Sequence, residues 1–447
     1  MVNHSFHFSQ AELIDLVKQL IAKALKGGAT ACEAEISEGN GWTVSVRLGD
    51  IETLEYHQDK SITINVYFDK KRGQASSSDF TPQALDRTVQ AALDIARLTA
   101  SDDFSGLAEP TMLCQSVIDL DLYHPWFITH DEAIKLAKRC EQSGRDVSNL
   151  IVNSDGVTVT TQAQQFIYAN SLEFCAGYPT SQHRIAASFI AEQKGVMQSD
   201  YWMSVACDAH ELMAADQVGH AAAHRTIKRL GARQIKTGQY PVLFDSPVAS
   251  SLIAHLIEGL TGDKLYRRSS FLLDSLGKTL LPTWINLVED PFIPRGLGSC
   301  PFDAEGVAVK RRFLIEKGCV VSYLLDSYSA RRLNMTSTGN AGGAHNLILQ
   351  HSHATQTDLL KVMEQGILVT ELMGDGVNIV TGDYSQGAAG FWVENGQIAY
   401  PIEEITIASN LKEMFGHIVA VADDAVIWGS KRVGSILIES MTIAGKN

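Results

Sequence analysis

The sequence predicts an α+β fold, in which a strand-rich C-terminal domain follows two segments that mix helices with antiparallel strands. Helix-like and strand-like patterns occur in clusters rather than in regular alternation, which disfavours a doubly wound parallel sheet. Within the strand-like stretches polar and apolar residues alternate, as in antiparallel sheets with one covered face. After Pro282 the chain is rich in strand patterns and glycine turns to its end, which predicts a strand-rich C-terminal domain.

The first segment, residues 1–110, is predicted to be a helix, a meander of antiparallel strands and a second helix. Ser9 and Glu12 form a possible capping box before an apolar pattern with helical spacing. Residues 42–48 and 62–68 alternate as strands do. Pro82 follows Thr81 in a position that favours the first turn of the second helix.

The middle segment, residues 120–235, is predicted to be a further α+β unit. Its helical patterns cover residues 131–142 and 214–230, and strand patterns fill the stretch between them. A basic linker with a glycine at each end, residues 231–238, gives the clearest boundary. The C-terminal domain is therefore expected to span residues 238–447, beginning with a strand and a helix over residues 246–260.

Composition and charge limit the class of protein. The 447 residues give room for about three domains of roughly 150 residues each. Hydrophobic residues make up 45% and charged residues 20%, as in soluble globular proteins. The formal net charge of −14 disfavours nucleic acid as a partner, because an acidic surface repels a polyanion.

Cysteine usage and hydropathy predict a cytoplasmic protein. The seven cysteines are widely spaced and form no CxxC pair, a pattern that favours reduced thiols. Residues 1–10 are polar and lack the apolar centre of a secretory signal. No run of about 18 apolar residues predicts a membrane span.

Short motifs alone identify no active site. His220 and His224 share a helix face at metal-ligand spacing, but the glutamate of an HExxH motif is missing, so two surface histidines are the favoured interpretation. A solvated loop is likewise favoured for His351 and His353. Cys300 follows a glycine-rich turn with no partner histidine fixed by spacing, which favours a small packing residue.

Long stretches of the sequence resemble the TldD/PmbA family, and specifically its PmbA/TldE branch. These stretches are residues 79–82 with 91–97, 229–245, 266–278, 295–307, 324–343 and 368–415. So many runs in the same order make the resemblance specific and extend it over most of the chain.

The resemblance implies a subunit of a two-subunit metalloprotease that works with a TldD-like partner. It implies flexible or leader peptides as substrates, as in microcin maturation or antitoxin degradation. Zinc or a similar divalent metal is expected in the partner. The family has an older name, modulator of DNA gyrase. Because the chain is acidic, we do not expect it to bind DNA directly.

The family's catalytic member carries HExxxH at the start of its C-terminal domain and a cysteine near its C-terminus. His255 matches the second histidine, whereas Ser250 and Ser251 stand where the first histidine and the glutamate belong. No cysteine follows Cys319. A serine hydroxyl is a poor zinc ligand and no carboxylate base. We therefore expect no catalytic metal or other cofactor in this chain, and we assign no catalytic residue.

Glycines in the C-terminal domain are the candidates for a partner interface or a substrate cleft. These glycines are Gly339, Gly342, Gly374, Gly376, Gly387 and Gly390. A homodimer is a further possibility when the chain is alone. Two alternatives stay open at this point: a stand-alone binding or regulatory protein for a cytosolic target, and a metallopeptidase whose site the motifs do not reveal.

Overall fold

The structure is a computed structural model that describes residues 6–446. Residues 1–5, which belong to the polar stretch expected not to be a secretory signal, and residue 447 lie outside the described residues. No helix within the described range is long and apolar enough to cross a membrane.

Residues 6–446 form helices and strands in clusters along the chain. The helices are α1 (Gln10–Lys26), α2 (Pro82–Leu98), α3 (His130–Arg145), α4 (Ala215–Lys228), α5 (Ser246–Gly259), α6 (Gly262–Tyr266), α7 (Ser327–Arg332), α8 (Gln356–Met363) and α9 (Leu411–Gly416). The first nine strands are β1 (Ala31–Arg47), β2 (Asp50–Phe68), β3 (Lys71–Ser77), β4 (Ile151–Asn170), β5 (Cys175–Ala176), β6 (Pro179–Gln193), β7 (Val196–Ala206), β8 (Gly238–Phe244) and β9 (Leu287–Asp290). The others are β10 (Arg312–Glu316), β11 (Cys319–Val320), β12 (Asn346–Leu349), β13 (Gly366–Met373), β14 (Asp383–Glu394), β15 (Gln397–Asn410), β16 (Ile418–Val421), β17 (Lys431–Arg432) and β18 (Ile436–Ala444).

The N-terminal half is built on one large antiparallel sheet. Its strand order is β3-β2-β1-β4-β6-β7, and β5 pairs with β4 at the side. The predicted meander is confirmed as β1-β2-β3. Because β1 also pairs with β4 over residues 33–46, strands from the predicted segments 1–110 and 120–235 share this sheet. The division of the chain into those segments stays a prediction.

Helices cover one face of the large sheet. Even-numbered residues of β1, among them Ile36, Trp42 and Val44, are fully buried under α1 to α4. Since side chains alternate along a strand, the odd-numbered residues of β1 point to the opposite face. The predicted helix starts are confirmed: Ser9 and Glu12 form the capping box of α1, and Pro82 begins α2.

The C-terminal domain contains two further sheets. One has the order β15-β14-β13-β8-β18-β16, and the other has the order β11-β10-β9-β12-β17. Phe244 of β8, Leu252 of α5 and Ile407 of β15 belong to one apolar core that spans this domain. Clustered helices and mainly antiparallel sheets confirm the predicted α+β class.

Polar and aromatic contacts fix the C-terminal domain against the N-terminal half, both at the connection after α2 and at the large sheet. The guanidinium of Arg331 in α7 donates hydrogen bonds of 2.7 to 3.0 Å to the carbonyls of Phe104, Gly106 and Leu107. The Phe302 ring packs against the Phe166 ring of β4, with centroids 6.2 Å apart. Because Phe166 pairs with Ser37, its side chain points to the same face as the odd-numbered residues of β1. The domain therefore lies over the sheet face that the helices leave uncovered.

Candidate functional site

A polar cleft of about 710 Å³ separates the large sheet from the C-terminal domain. Residues of β1, β2, β4 and β6 form one wall, which we call the floor, and residues 296–300 and 341–345 contribute to the opposite wall, the roof. The volume falls within the usual range of ligand-binding pockets. The fold therefore provides this cleft as a candidate binding site.

Strand register sets the chemistry of the floor. Cross-strand neighbours form two rows on the same face, Asp59-Gly39-Gln164-Thr180 and His57-Gly41-Gln162-Gln182. These rows carry three carboxamides, two glycines, one acid, one hydroxyl and one imidazole, where the opposite face of the sheet has mainly apolar side chains. The sequence carries this signal as a polar and glycine face in otherwise apolar alternation, but no short motif reveals it.

The glutamines of the floor are available to a ligand. Gln162, Gln164 and Gln182 are exposed to the solvent in the cleft, and none of their carboxamides has a hydrogen-bond partner among residues 6–446. Each carboxamide offers both a donor and an acceptor. The floor is therefore suited to polar groups that both donate and accept hydrogen bonds.

A buried ionic cluster holds the roof. The carboxylate of Glu289 lies 2.8 Å from the Arg312 guanidinium and accepts hydrogen bonds from Asn340 at 2.8 Å and from the His345 backbone at 3.0 Å. Burial alone would raise the pKa of Glu289, but the hydrogen bond from His345 and the charge of Arg312 outweigh it and lower that pKa. The cluster fixes loop 341–345 at the edge of the cleft.

Two titratable residues of the roof are shifted by burial. Burial raises the pKa of Asp303 to about 6, although the backbone N–H groups of Ala341 and Val307 donate to its carboxylate. Burial, with Asp303 nearby, raises the pKa of Cys300 to about 12. Cys300 is therefore a protonated thiol near neutral pH, which disfavours a role as nucleophile.

Helix α5 does not present the residues of a metal site. The Ser250 hydroxyl donates to the Pro247 carbonyl at 2.7 Å, and the Ser251 hydroxyl donates to the Val248 carbonyl at 2.8 Å. His255 packs beside the Tyr384 ring, and burial lowers its pKa. These residues do not fit a catalytic divalent metal. Ser250 and Ser251 use their hydroxyls in hydrogen bonds to their own helix, which leaves the imidazole of His255 as the one suitable ligand among the three.

Other histidine pairs do not complete a metal site either. His220 and His224 lie exposed on α4, and His351 and His353 are exposed with ring centroids 4.7 Å apart. Within residues 6–446 no group of three or more His, Cys, Asp and Glu side chains is placed to hold a metal ion. That this chain works without a metal of its own stays a prediction.

Two of the candidate glycines serve close backbone packing inside the C-terminal domain. A Cβ atom at Gly376 would lie 1.5 Å from the Ser385 carbonyl oxygen, and one at Gly390 would lie 1.9 Å from the Leu368 carbonyl oxygen. No side chain fits at such distances. Their presence is explained by the sheet itself, and a role at an interface stays a prediction.

The other four candidate glycines have different surroundings. Gly339 and Gly374 adopt left-handed backbone conformations, with φ of 73° and 85°, which glycine reaches without strain. Gly342 lines the cleft. Gly387 lies in β14, where an added Cβ would meet Met373 atoms at 3.4 Å. The structure thus brings one of the six, Gly342, to the cleft.

The sequence matches three domains described for PmbA/TldA metallopeptidases: domain 1 over residues 32–96, the central domain over 123–230 and the C-terminal domain over 237–445. Metalloprotease PmbA of Escherichia coli O157:H7 is 42% identical over 96% of both chains. The chain belongs to the PmbA/TldD metallopeptidase family. The resemblance inferred from the sequence is confirmed.

Further PmbA/TldD relatives fit the same assignment. A metalloprotease PmbA homolog of Haemophilus influenzae is 40% identical over 98% of this chain and 97% of its own. A metalloprotease TldD homolog of Buchnera aphidicola is 22% identical over 91% of this chain and 87% of its own. The more similar relatives carry the PmbA name, and their names indicate a peptidase family.

Two solved structures share the fold of this chain. TldE from Thermococcus kodakarensis superposes with a TM-score of 0.86 at 19% identity, covering 96% of this chain and all (100%) of its own. A Bacteroides thetaiotaomicron protein proposed to modulate DNA gyrase reaches a TM-score of 0.92 at 24% identity, covering 97% and 98% of the two chains. At these identities the likeness concerns the fold alone.

Proposed function

We propose that this chain is the noncatalytic subunit of a two-subunit metallopeptidase and that a TldD-like partner holds the catalytic metal. The observation that carries the proposal is the arrangement of side chains on α5. Ser250 and Ser251 occupy the positions of a metal ligand and a general base, and both hydroxyls bond to helix carbonyls. Only His255 remains of the set.

The chemistry of metal-assisted hydrolysis supports this division of labour. A catalytic zinc ion usually has three protein ligands, an open position for water and a nearby carboxylate base. His255 is a single imidazole packed against Tyr384, and it cannot supply the other groups. Zinc or a similar divalent metal therefore belongs to the partner, and this chain contributes surface.

The proposed substrates are flexible or leader peptides, such as those of microcin maturation or antitoxin degradation, and the proposed compartment is the cytoplasm. The seven cysteines are all free thiols, which accords with a reducing compartment. The net charge of −14 disfavours nucleic acid as the target. In the absence of the partner, the chain would pair with a second copy.

Metal content tests the assignment of the chemistry. We predict that the chain, purified without chelator, contains far less than one zinc ion per molecule, because α5 offers one ligand where about three are needed. Elemental analysis of the parent chain and of His255→Ala measures it. Zinc near one equivalent that disappears in His255→Ala would contradict the proposal and favour a metallopeptidase with its own site.

A stand-alone binding or regulatory protein is the second candidate. Two observations favour this candidate. The cleft is large and polar enough to bind a ligand, and residues 6–446 form no metal-binding cluster. Co-purification separates the two candidates. A TldD-like partner that is retained through size-exclusion chromatography supports the subunit, whereas two separate peaks at micromolar concentration support the stand-alone protein.

A further inference from the structure

Glycines occupy both walls of the cleft. Gly39 in the floor and Gly342 in the roof leave room where a side chain would stand, since an added Cβ at either would meet its nearest atom at 3.5 Å. A glycine exposes its backbone, so that another main chain can approach closely. A cleft with such walls is suited to a ligand that is itself an extended backbone.

The glutamines of β4 repeat at the spacing of an extended peptide. Gln162 and Gln164 are two residues apart on one strand and point to the same face, which separates them by roughly 6.6 Å. The main-chain groups of an extended ligand recur over the same two-residue distance. A carboxamide can accept from an N–H group and donate to a carbonyl, so this pair can hold a backbone whatever its sequence.

The charges around the cleft favour a basic ligand. Glu35, Asp59 and Asp303 line it, and Glu35 and Asp59 have no ion-pair partner among residues 6–446. Lys60 also lines the cleft, but its ammonium lies over the Phe80 ring, 5.1 Å from the centroid. Complementary charge guides association and sets specificity, so lysine and arginine side chains would be preferred.

The cleft is open along an edge of the large sheet. Strand β3 pairs with residues 62–68 of β2, and in the described part of the chain no strand lies beyond residues 50–61. The cleft residues His57, Asp59, Lys60 and Ser61 belong to this open stretch. An extended chain could therefore enter from the edge without a free end being required.

We propose that this cleft is a polypeptide-binding site in its own right, which takes an extended, basic and unfolded segment apart from the partner's metal centre. No residue of α5 lines it. The inference rests on the proposed function for the source of the peptide. In the complex, this site would hold one part of a substrate chain while another part reaches the partner.

Binding to the isolated full-length chain tests the proposal. The probe is a dye-labelled, unstructured peptide rich in lysine and arginine, compared with an acidic peptide of equal length by fluorescence anisotropy. We expect the basic peptide to bind at least about tenfold more tightly. Asp59→Asn should weaken its binding, whereas Asp50→Asn, the same change on the same strand but outside the cleft, should leave it unchanged.

Gly39→Phe blocks the floor of the cleft. A Cβ at Gly39 meets the Ala163 carbonyl oxygen at 3.5 Å and Gln164 Cβ at 3.7 Å, which are ordinary contacts, so the fold should survive. We expect the affinity for the basic peptide to fall by about tenfold or more, with unchanged circular dichroism. If this variant unfolds, the double variant Gln162→Ala/Gln164→Ala, which removes two exposed side chains, gives the same test.

Three results would overturn the proposal: no binding of the basic peptide, equal binding of both peptides, or undiminished binding by a folded variant with a blocked floor. The assay uses neither partner nor metal. A failure of partner-dependent cleavage would therefore leave this result standing, and a failure of binding here would leave the proposed subunit role standing.

Discussion

Glu305 is a half-buried carboxylic acid of the C-terminal domain, two residues after Asp303. It accepts a hydrogen bond of 3.0 Å from the Ser327 backbone, and the acids Asp303 and Asp326 lie near it. Burial, reinforced by these two acids, raises the pKa of Glu305 from its ordinary value of 4.5 to about 7. At neutral pH a part of the population therefore carries an unfavourable buried charge.

The variant Glu305→Gln should be more stable than the parent chain above pH 7. Because the pKa of Glu305 is raised, its protonated form is stabilised in the folded state. The folded parent chain therefore has the full stabilising contribution of this carboxyl below about pH 4.5 and loses it as pH rises through about 7. Glutamine stays neutral throughout, and the expected gain at pH 8 is about 2 kcal/mol. Urea unfolding at pH 5 and pH 8 measures it. A gain of equal size at both pH values would exclude ionisation as its cause.

A sequence shows which residues occupy the positions of a known motif, but it does not show how buried a residue is or what surrounds it. The resemblance to the family motif is enough to propose, from the sequence alone, that Ser250 and Ser251 stand in place of its first histidine and its glutamate. The burial of Glu305 cannot be proposed in this way, since it depends on Ser327 and other residues that are brought together only by the tertiary fold.

At the scale of single elements, β14 contains two glycines that differ in the space available for a side chain. We predict that Gly390→Ala destabilises the chain by about 3 kcal/mol, because its Cβ would overlap the Leu368 carbonyl oxygen at 1.9 Å. Gly387→Ala, with contacts of 3.4 Å to Met373, should cost less than about 1 kcal/mol. Thermal unfolding of both variants decides the matter. If both variants lost the same stability, the contact of residue 390 with β13 would not be the reason that this position requires glycine.

Helices and local strand pairs could be predicted, whereas long-range pairing could not. The capping box at Ser9 and the proline at Pro82 are local signals, and α1 and α2 begin where they indicate. The pairing of β1 with β4 joins Thr43 to Thr160 across more than a hundred residues. No turn or spacing in the sequence specifies it, so the sheet shared by the first two segments could not be predicted.

At the scale of the whole molecule, the C-terminal domain makes the cleft by covering a polar sheet face. Arg331 holds the domain to the connection after α2, and the Glu289 cluster fixes the loop of the roof. The sequence motifs point to α5 and to six C-terminal glycines, and of those only Gly342 reaches the cleft. The floor could not be predicted, because glutamines and glycines in a strand carry no catalytic signature.

Cleavage of an unstructured peptide by the reconstituted complex tests the central claim most directly. The parent chain, His255→Ala and a TldD-like partner would be assayed singly and in combination. We predict no cleavage by this chain alone, full cleavage when either form is combined with the partner, and none when the partner's metal residues are changed. Cleavage by this chain alone at the full rate, or its loss in His255→Ala with assembly intact, would contradict the claim that the chemistry belongs to the partner.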